Sequence, residues 1–86
     1  MKKKVEVNDL AKLSNLRVGN VAIIKKVDSK NLLIRRRLFE MGLTTGVQVE
    51  VKKIAPFGDP VVIKIRGYEL CLRIAILKNI EVRVLK

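Results

Sequence analysis

Residues 46–66 read GVQVEVKKIAPFGDPVVIKIR, and their alternation decides the fold. Val47, Val49 and Val51 fall on one side of an extended chain, with Gln48, Glu50 and Lys52 on the other. Past the Ala55–Pro60 stretch, Val61, Ile63 and Ile65 repeat the pattern against Val62, Lys64 and Arg66. Successive side chains of a strand point to opposite faces, so period two marks a strand with one buried face. Pro56, Gly58 and Asp59-Pro60 carry turn chemistry, so APFGDP reads as a hairpin loop. Pro60 has no N–H to give a ladder and must begin the second strand or lie at an edge.

The same period continues on both sides. In YELCLR (68–73), Leu70 and Leu72 oppose Glu69, Cys71 and Arg73. In IEVRVLK (80–86), Ile80, Val82 and Val84 alternate with Glu81 and Arg83. Val21 to Val27 is an apolar run with lysines near its end, preceded by a turn at RVGN (17–20). Gly67 marks a tight turn. These segments make five expected strands.

Between Asp28 and Met41 the period lengthens to that of a helix. Asp28 or Ser29 can cap its start. Ile34, Leu38 and Met41, at i, i+4 and i+7, form the expected buried stripe, with Arg36 and Glu40 on the solvent side. Gly42 suits the left-handed residue that ends a helix, and Leu43 can then pack back on Leu38. Gly46 turns the chain into the next strand. The expected architecture is mainly β: a small SH3-like β-barrel with one short α-helix at its end, closed so that no edge is left open. Residues 1–86 are too few for a second core and form a single domain, with 1–12, including Lys2, Lys3 and Lys4, expected as a partly flexible extension.

The composition narrows the function. Nineteen Lys and Arg stand against eight Asp and Glu, a net charge of +11 that attracts polyanions: nucleic acid, an anionic membrane surface or an acidic partner. The single cysteine, Cys71, excludes an intramolecular disulfide; opposite Leu70 and Leu72 it either faces outward or lies under the C-terminal segment, and it reads as a packed small hydrophobe rather than a reactive thiol. No apolar segment follows the basic start, and VAII and IAIL are far too short to span a bilayer. The chain therefore reads as cytoplasmic, with any membrane relation peripheral.

Histidine is absent, which removes the commonest acid–base group and metal ligand. The acidic residues are scattered singly, no phosphate-binding G-x-x-x-x-G-K-[ST] loop occurs, and neither Ser14 nor Ser29 has a base beside it. The expectation is a non-enzyme with no catalytic residue, cofactor or metal site.

Arg35, Arg36 and Arg37 can bind phosphates or an acidic surface through bidentate hydrogen bonds. Alternatively they are a solvated helix face whose stems cover the barrel mouth. Phe57 lies at the tip of a Pro/Gly loop, either exposed as a contact anchor or folded back on the barrel. Phe39 is expected to pack at the helix edge, and Tyr68 stands alone beside a turn. No strand carries an aromatic pair on which bases could stack, which weighs against nucleic acid.

Four segments also carry a family likeness: LSNLRVG (13–19), RRRLFEMGLTTGVQVEV (35–51), APFGDPVVIKIRGYELCLR (55–73) and IEV (80–82). In this order and spacing they resemble the ferrous iron transport protein A (FeoA) family from Leu13 to Val84. Pro often stands in that family where Val18 and Thr45 stand here. The resemblance implies an SH3-like β-barrel in the bacterial cytoplasm, without a catalytic site of its own, serving the membrane-embedded, GTPase-bearing ferrous iron transporter FeoB. The expected activity is docking on the cytoplasmic side of FeoB to modulate transport, through Arg35, Arg36, Arg37, Phe57 and Asp59. Proximity to the anionic inner membrane and self-association through a barrel edge fit the same reading. The alternative is a basic nucleic-acid-binding or transcription-linked SH3-like module.

Overall fold

The computed structural model describes residues 5–86. Six strands form one antiparallel sheet: β1 Leu10–Lys12, β2 Val21–Val27, β3 Gln48–Ile54, β4 Val61–Ile65, β5 Tyr68–Leu72 and β6 Ile80–Val84. Their spatial order is β1-β6-β2-β3-β4-β5. Two helices join them, α1 Leu32–Glu40 and α2 Ile74–Leu77, together with a 3-10 turn at Leu13–Asn15. The sheet wraps one aliphatic core: Val49 and Val51 of β3, Ile63 and Ile65 of β4, and Val82 and Val84 of β6 are all essentially inaccessible. Leu13, Leu38, Leu43 and Leu77 close its ends. The alternation read from Val47 to Lys52 and from Val61 to Arg66 holds in the burial of these residues.

Lysine pairs interrupt that alternation. In IIKKV and EVKKI, strict period two would turn Lys26 and Lys53 inward. An unpaired charge in such a core costs several kcal/mol. Both strands avoid this with a β-bulge. In β2, Ile24 pairs with Val82 and Lys26 with Glu81, so Lys25 is the extra residue. In β3, Val51 pairs with Ile63 and Lys53 with Val62, so Lys52 is the extra residue. All four lysines are exposed, and the following Val27 and Ile54 pack against the core. A bulge shifts the pleat by one residue, which returns the next apolar side chain to the buried face.

The backbone bears on three expectations. Leu10–Lys12, within the expected 1–12 extension, pair with β6 as a sixth strand. Asn8 N–H donates to the Val84 carbonyl at 2.7 Å, and Val84 N–H to Asp9 at 2.9 Å. Lys2, Lys3 and Lys4 lie outside the described residues. The hydrogen-bonded ladder is also not closed: β1 and β5 are its ends. Past Leu72 the chain turns into α2, which packs on the 3-10 turn rather than continuing toward β1. Finally, α1 is capped by Asn31, not by Asp28 or Ser29. Asp28 N–H is still held by the Asn79 carbonyl at 2.6 Å, so the chain there belongs to the strands.

The end of α1 follows the glycine logic closely. Leu43 N–H donates to the Leu38 carbonyl at 2.9 Å and Gly42 N–H to Phe39 at 3.0 Å, the paired bonds of a Schellman stop. Gly42 has φ +89°, and a Cβ placed there would lie 2.9 Å from the Tyr68 hydroxyl. That hydroxyl donates to the Met41 carbonyl. Gly42→Ala should therefore cost about 1–3 kcal/mol from backbone strain, plus the displacement of Tyr68. In a Tyr68→Phe background the same substitution should cost measurably less, and urea unfolding of the four proteins of this cycle checks the coupling.

Candidate functional site

The surface of α1 is unusual for a nine-residue helix. Only Leu38 is fully buried, while Ile34 and Met41 are partly buried on the same side. Leu32, Leu33 and Phe39 are 74%, 67% and 70% exposed. A helix with so small a buried stripe is held mainly by its ends. Asn31 Oδ1 accepts from Leu33 N–H at 2.9 Å and Ile34 N–H at 3.3 Å, and Ser29 Oγ accepts from Asn31 N–H. The Schellman stop and Tyr68 hold the other end.

Consecutive helical residues rotate by about 100°, so three arginines in a row fan over about 200°. Arg35, Arg36 and Arg37 are all exposed but do not form one patch. Arg37 faces an apolar groove of about 270 Å³, with Leu33, Ile34 and Met41 on the same helix, Leu72 of β5 and Ile76 of α2. Arg35 and Arg36 line a shallow depression on the other flank with Leu32, Phe39 and the bulge lysines Lys25 and Lys26. Among the described residues the ion pairs are Lys12–Asp28 at 3.8 Å and Lys52–Glu50 at 3.6 Å, and neither involves these arginines.

Phe57 is 99% exposed, so of its two sequence readings the outward one holds. The loop beneath it is well formed: Gly58 N–H donates to Ala55 at 2.7 Å and Ala55 N–H to Pro60 at 3.1 Å. Asp59 does structural work as well. Its Oδ1 accepts from Ile74 N–H at 2.9 Å, which caps α2 from the neighbouring hairpin. Phe39 departs from its expected packing, because its direction is shared with Leu32 and lies opposite the Ile34–Leu38–Met41 stripe. Cys71 is exposed on β5, facing away from Leu70 and Leu72, the outward of its two expected placements and not a packed hydrophobe. No group of His, Cys, Asp and Glu among the described residues could hold a metal ion. No described helix is long and apolar enough to cross a membrane.

Sequence reasoning named the arginines and Phe57 but missed Leu32, Leu33, Leu72 and Ile76. The surplus of apolar residues beside the i, i+4, i+7 stripe was the signal for the two leucines. Leu72 and Ile76 reach the groove only through the β5-to-α2 turn, which no local pattern marks.

Comparison with known proteins gives this arrangement relatives. The FeoA domain family model matches residues 11–84. The Fe(2+) transport protein A/Fe(2+) transporter FeoB fusion protein of Porphyromonas gingivalis is 35% identical over 74 residues. That match covers 86% of this chain and spans only 9% of the length of the fusion protein. The zinc-complexed crystal structure of FeoA from Stenotrophomonas maltophilia, described as a prokaryotic SH3 domain protein, superposes with a TM-score of 0.72 at 29% identity. It covers 81% of this chain and 86% of its own. The manganese complex of a manganese-dependent transcriptional repressor superposes at 0.83 but with 17% identity, covering 88% of this chain and 37% of the repressor, a likeness of fold alone. The family match extends over both the barrel and the α1 surface, and the chain belongs to the FeoA domain family.

Proposed function

We propose that this chain is a small cytoplasmic accessory of ferrous iron uptake that docks on FeoB and modulates transport without chemistry of its own. The observation that carries the reading is the Porphyromonas gingivalis relative, in which the matching segment and FeoB share one polypeptide. Fusion keeps two domains at high effective concentration, which is productive when they work in contact. Ferrous iron is the cargo of FeoB in this reading, not a ligand of the chain.

The docking surface is the groove between α1, β5 and α2, with the Phe57 loop beside it. Leu33, Met41, Leu72 and Ile76 offer apolar area, and Arg37 supplies a bidentate donor at the rim. The Phe57 loop is tied to the start of α2 by Asp59. An exposed aromatic anchor next to an apolar cleft with one arginine has the anatomy of an interface core. Of the residues expected to make contact, Arg37 lines this groove and Phe57 stands outside its lining, on the loop that Asp59 ties to the start of α2. Asp59 acts by holding it together, and Arg35 and Arg36 lie on the opposite flank.

Binding to full-length FeoB in lipid nanodiscs, at near-physiological salt, tests the reading. Leu33→Glu and Phe57→Ala should each weaken docking at least tenfold, about 1.4 kcal/mol, while unfolding midpoints change little because both side chains are exposed. Wild-type affinity in both variants sinks the groove as the contact surface. Asp59 separates support from contact. Asp59→Ala should lose about 1 kcal/mol of stability with its hydrogen bond, and Asp59→Asn, which keeps the acceptor oxygen, should restore it. A duplex DNA titration belongs beside these measurements, because +11 could serve phosphate binding, and such binding would fall steeply with salt.

A further inference from the structure

We propose that the other flank of α1 is a docking surface for an anionic lipid bilayer. The stripe runs Leu32, Arg35, Arg36, Phe39, at i, i+3, i+4 and i+7, so all four side chains share one side of the helix. Lys25 and Lys26 of the β2 bulge line the same depression, as do Thr44 and Thr45. Each end of the stripe is a large exposed apolar side chain, and its middle is cationic. Leu32 and Phe39 are about 10 Å apart along the axis at the rise of an α-helix. A helix lying flat on a bilayer can therefore sink both into the acyl boundary. The arginines then reach sideways to the headgroup phosphates, with their stems against the apolar zone.

Charge complementarity selects the occupant. Four cations converge here, and none makes an ion pair among the described residues. Glu40, four residues after Arg36 on α1, and Glu81, the β6 partner of Lys26, make no ion pair among the described residues. Asp28 is turned toward Lys12. The depression is open rather than a cleft, so it does not enclose a peptide side chain as the groove on the opposite flank can. Nucleic acid would leave Leu32 without a partner and finds a single aromatic ring where stacking needs a platform. A flat, multivalent, negatively charged surface with an apolar layer beneath uses every member of the stripe. This inference stands apart from the FeoB reading, since vesicles contain no FeoB and the two surfaces use different side chains.

The test is flotation of the full chain with vesicles of phosphatidylglycerol mixed into phosphatidylcholine, against phosphatidylcholine alone, at near-physiological salt. The wild type should float with the anionic vesicles and stay behind with the neutral ones. Each basic residue near such a surface contributes about fivefold in affinity, so Arg35→Glu/Arg36→Glu should weaken binding well over tenfold. Leu32→Ser/Phe39→Ser should also weaken it, and circular dichroism should show both variants folded. The β3 bulge provides a charge-matched control: Lys52→Glu/Lys53→Glu should lose much less than Lys25→Glu/Lys26→Glu. Equal losses from the two bulges would mean adsorption by net charge and would overturn the proposal. So would the absence of flotation, or duplex DNA binding at the same salt that is stronger than vesicle binding and indifferent to Leu32→Ser/Phe39→Ser.

Discussion

An aliphatic core with no polar partner inside it cannot accept a charge, and most of this molecule follows from that constraint. Among the described residues the buried side chains are Val, Ile, Leu and Ala, with Ser14 the polar exception. A chain with 19 lysines and arginines must keep every one of them outside such a core. The β2 and β3 bulges are the local solution: each adds one residue at a Lys-Lys pair and restores the apolar register beyond it. The bulges keep the core dry and also concentrate cations on the surface. The basic depression beside α1 arises partly from this packing requirement.

Helix α1 faces the opposite problem. It has little to bury and is held by its ends, through Asn31 at the start and Gly42, Leu43 and Tyr68 at the stop. This leaves most of its circumference free. A short amphipathic helix normally turns its apolar residues to the core and its charges to water. Here Leu32, Leu33 and Phe39 stay in water beside the arginines, forming two mixed surfaces on either flank of one rigid element. The same helix can then meet a protein on one flank and a charged surface on the other. Asp59 ties the Phe57 loop to the α2 backbone.

The FeoA domain family match covers residues 11–84, and one relative carries the matching segment in one polypeptide with FeoB. Exposed apolar area on α1, the exposed Phe57 ring, and arginines that make no ion pair among the described residues are the chemistry on which the proposed docking rests. The fold itself is less informative, since a transcriptional repressor carries it at low identity. The pattern of exposure on α1 and the Phe57 loop belongs to side chains rather than to the barrel.

Much of this was legible in the residues themselves. The Val and Ile alternation of β3, β4 and β6 depends only on period two, and the stop of α1 on a glycine with the right neighbours, so both are local and both were readable. Three-residue β1 was not, because its hydrogen bonds come from β6 at the far end of the chain. Nor was the Asn31 start, since Asp28 is claimed by Asn79, nor α2, whose first N–H is capped by Asp59 from another hairpin. The arginine run announced charge but not its direction. Helical twist sends Arg37 to one flank and Arg35 and Arg36 to the other, and strand register decides that Lys25 and Lys26 join the latter. Composition and period specified an aliphatic barrel with a basic helix. The grouping of side chains into surfaces required long-range pairing, because a side chain's neighbours across strands are set by register, and register is a property of two segments together.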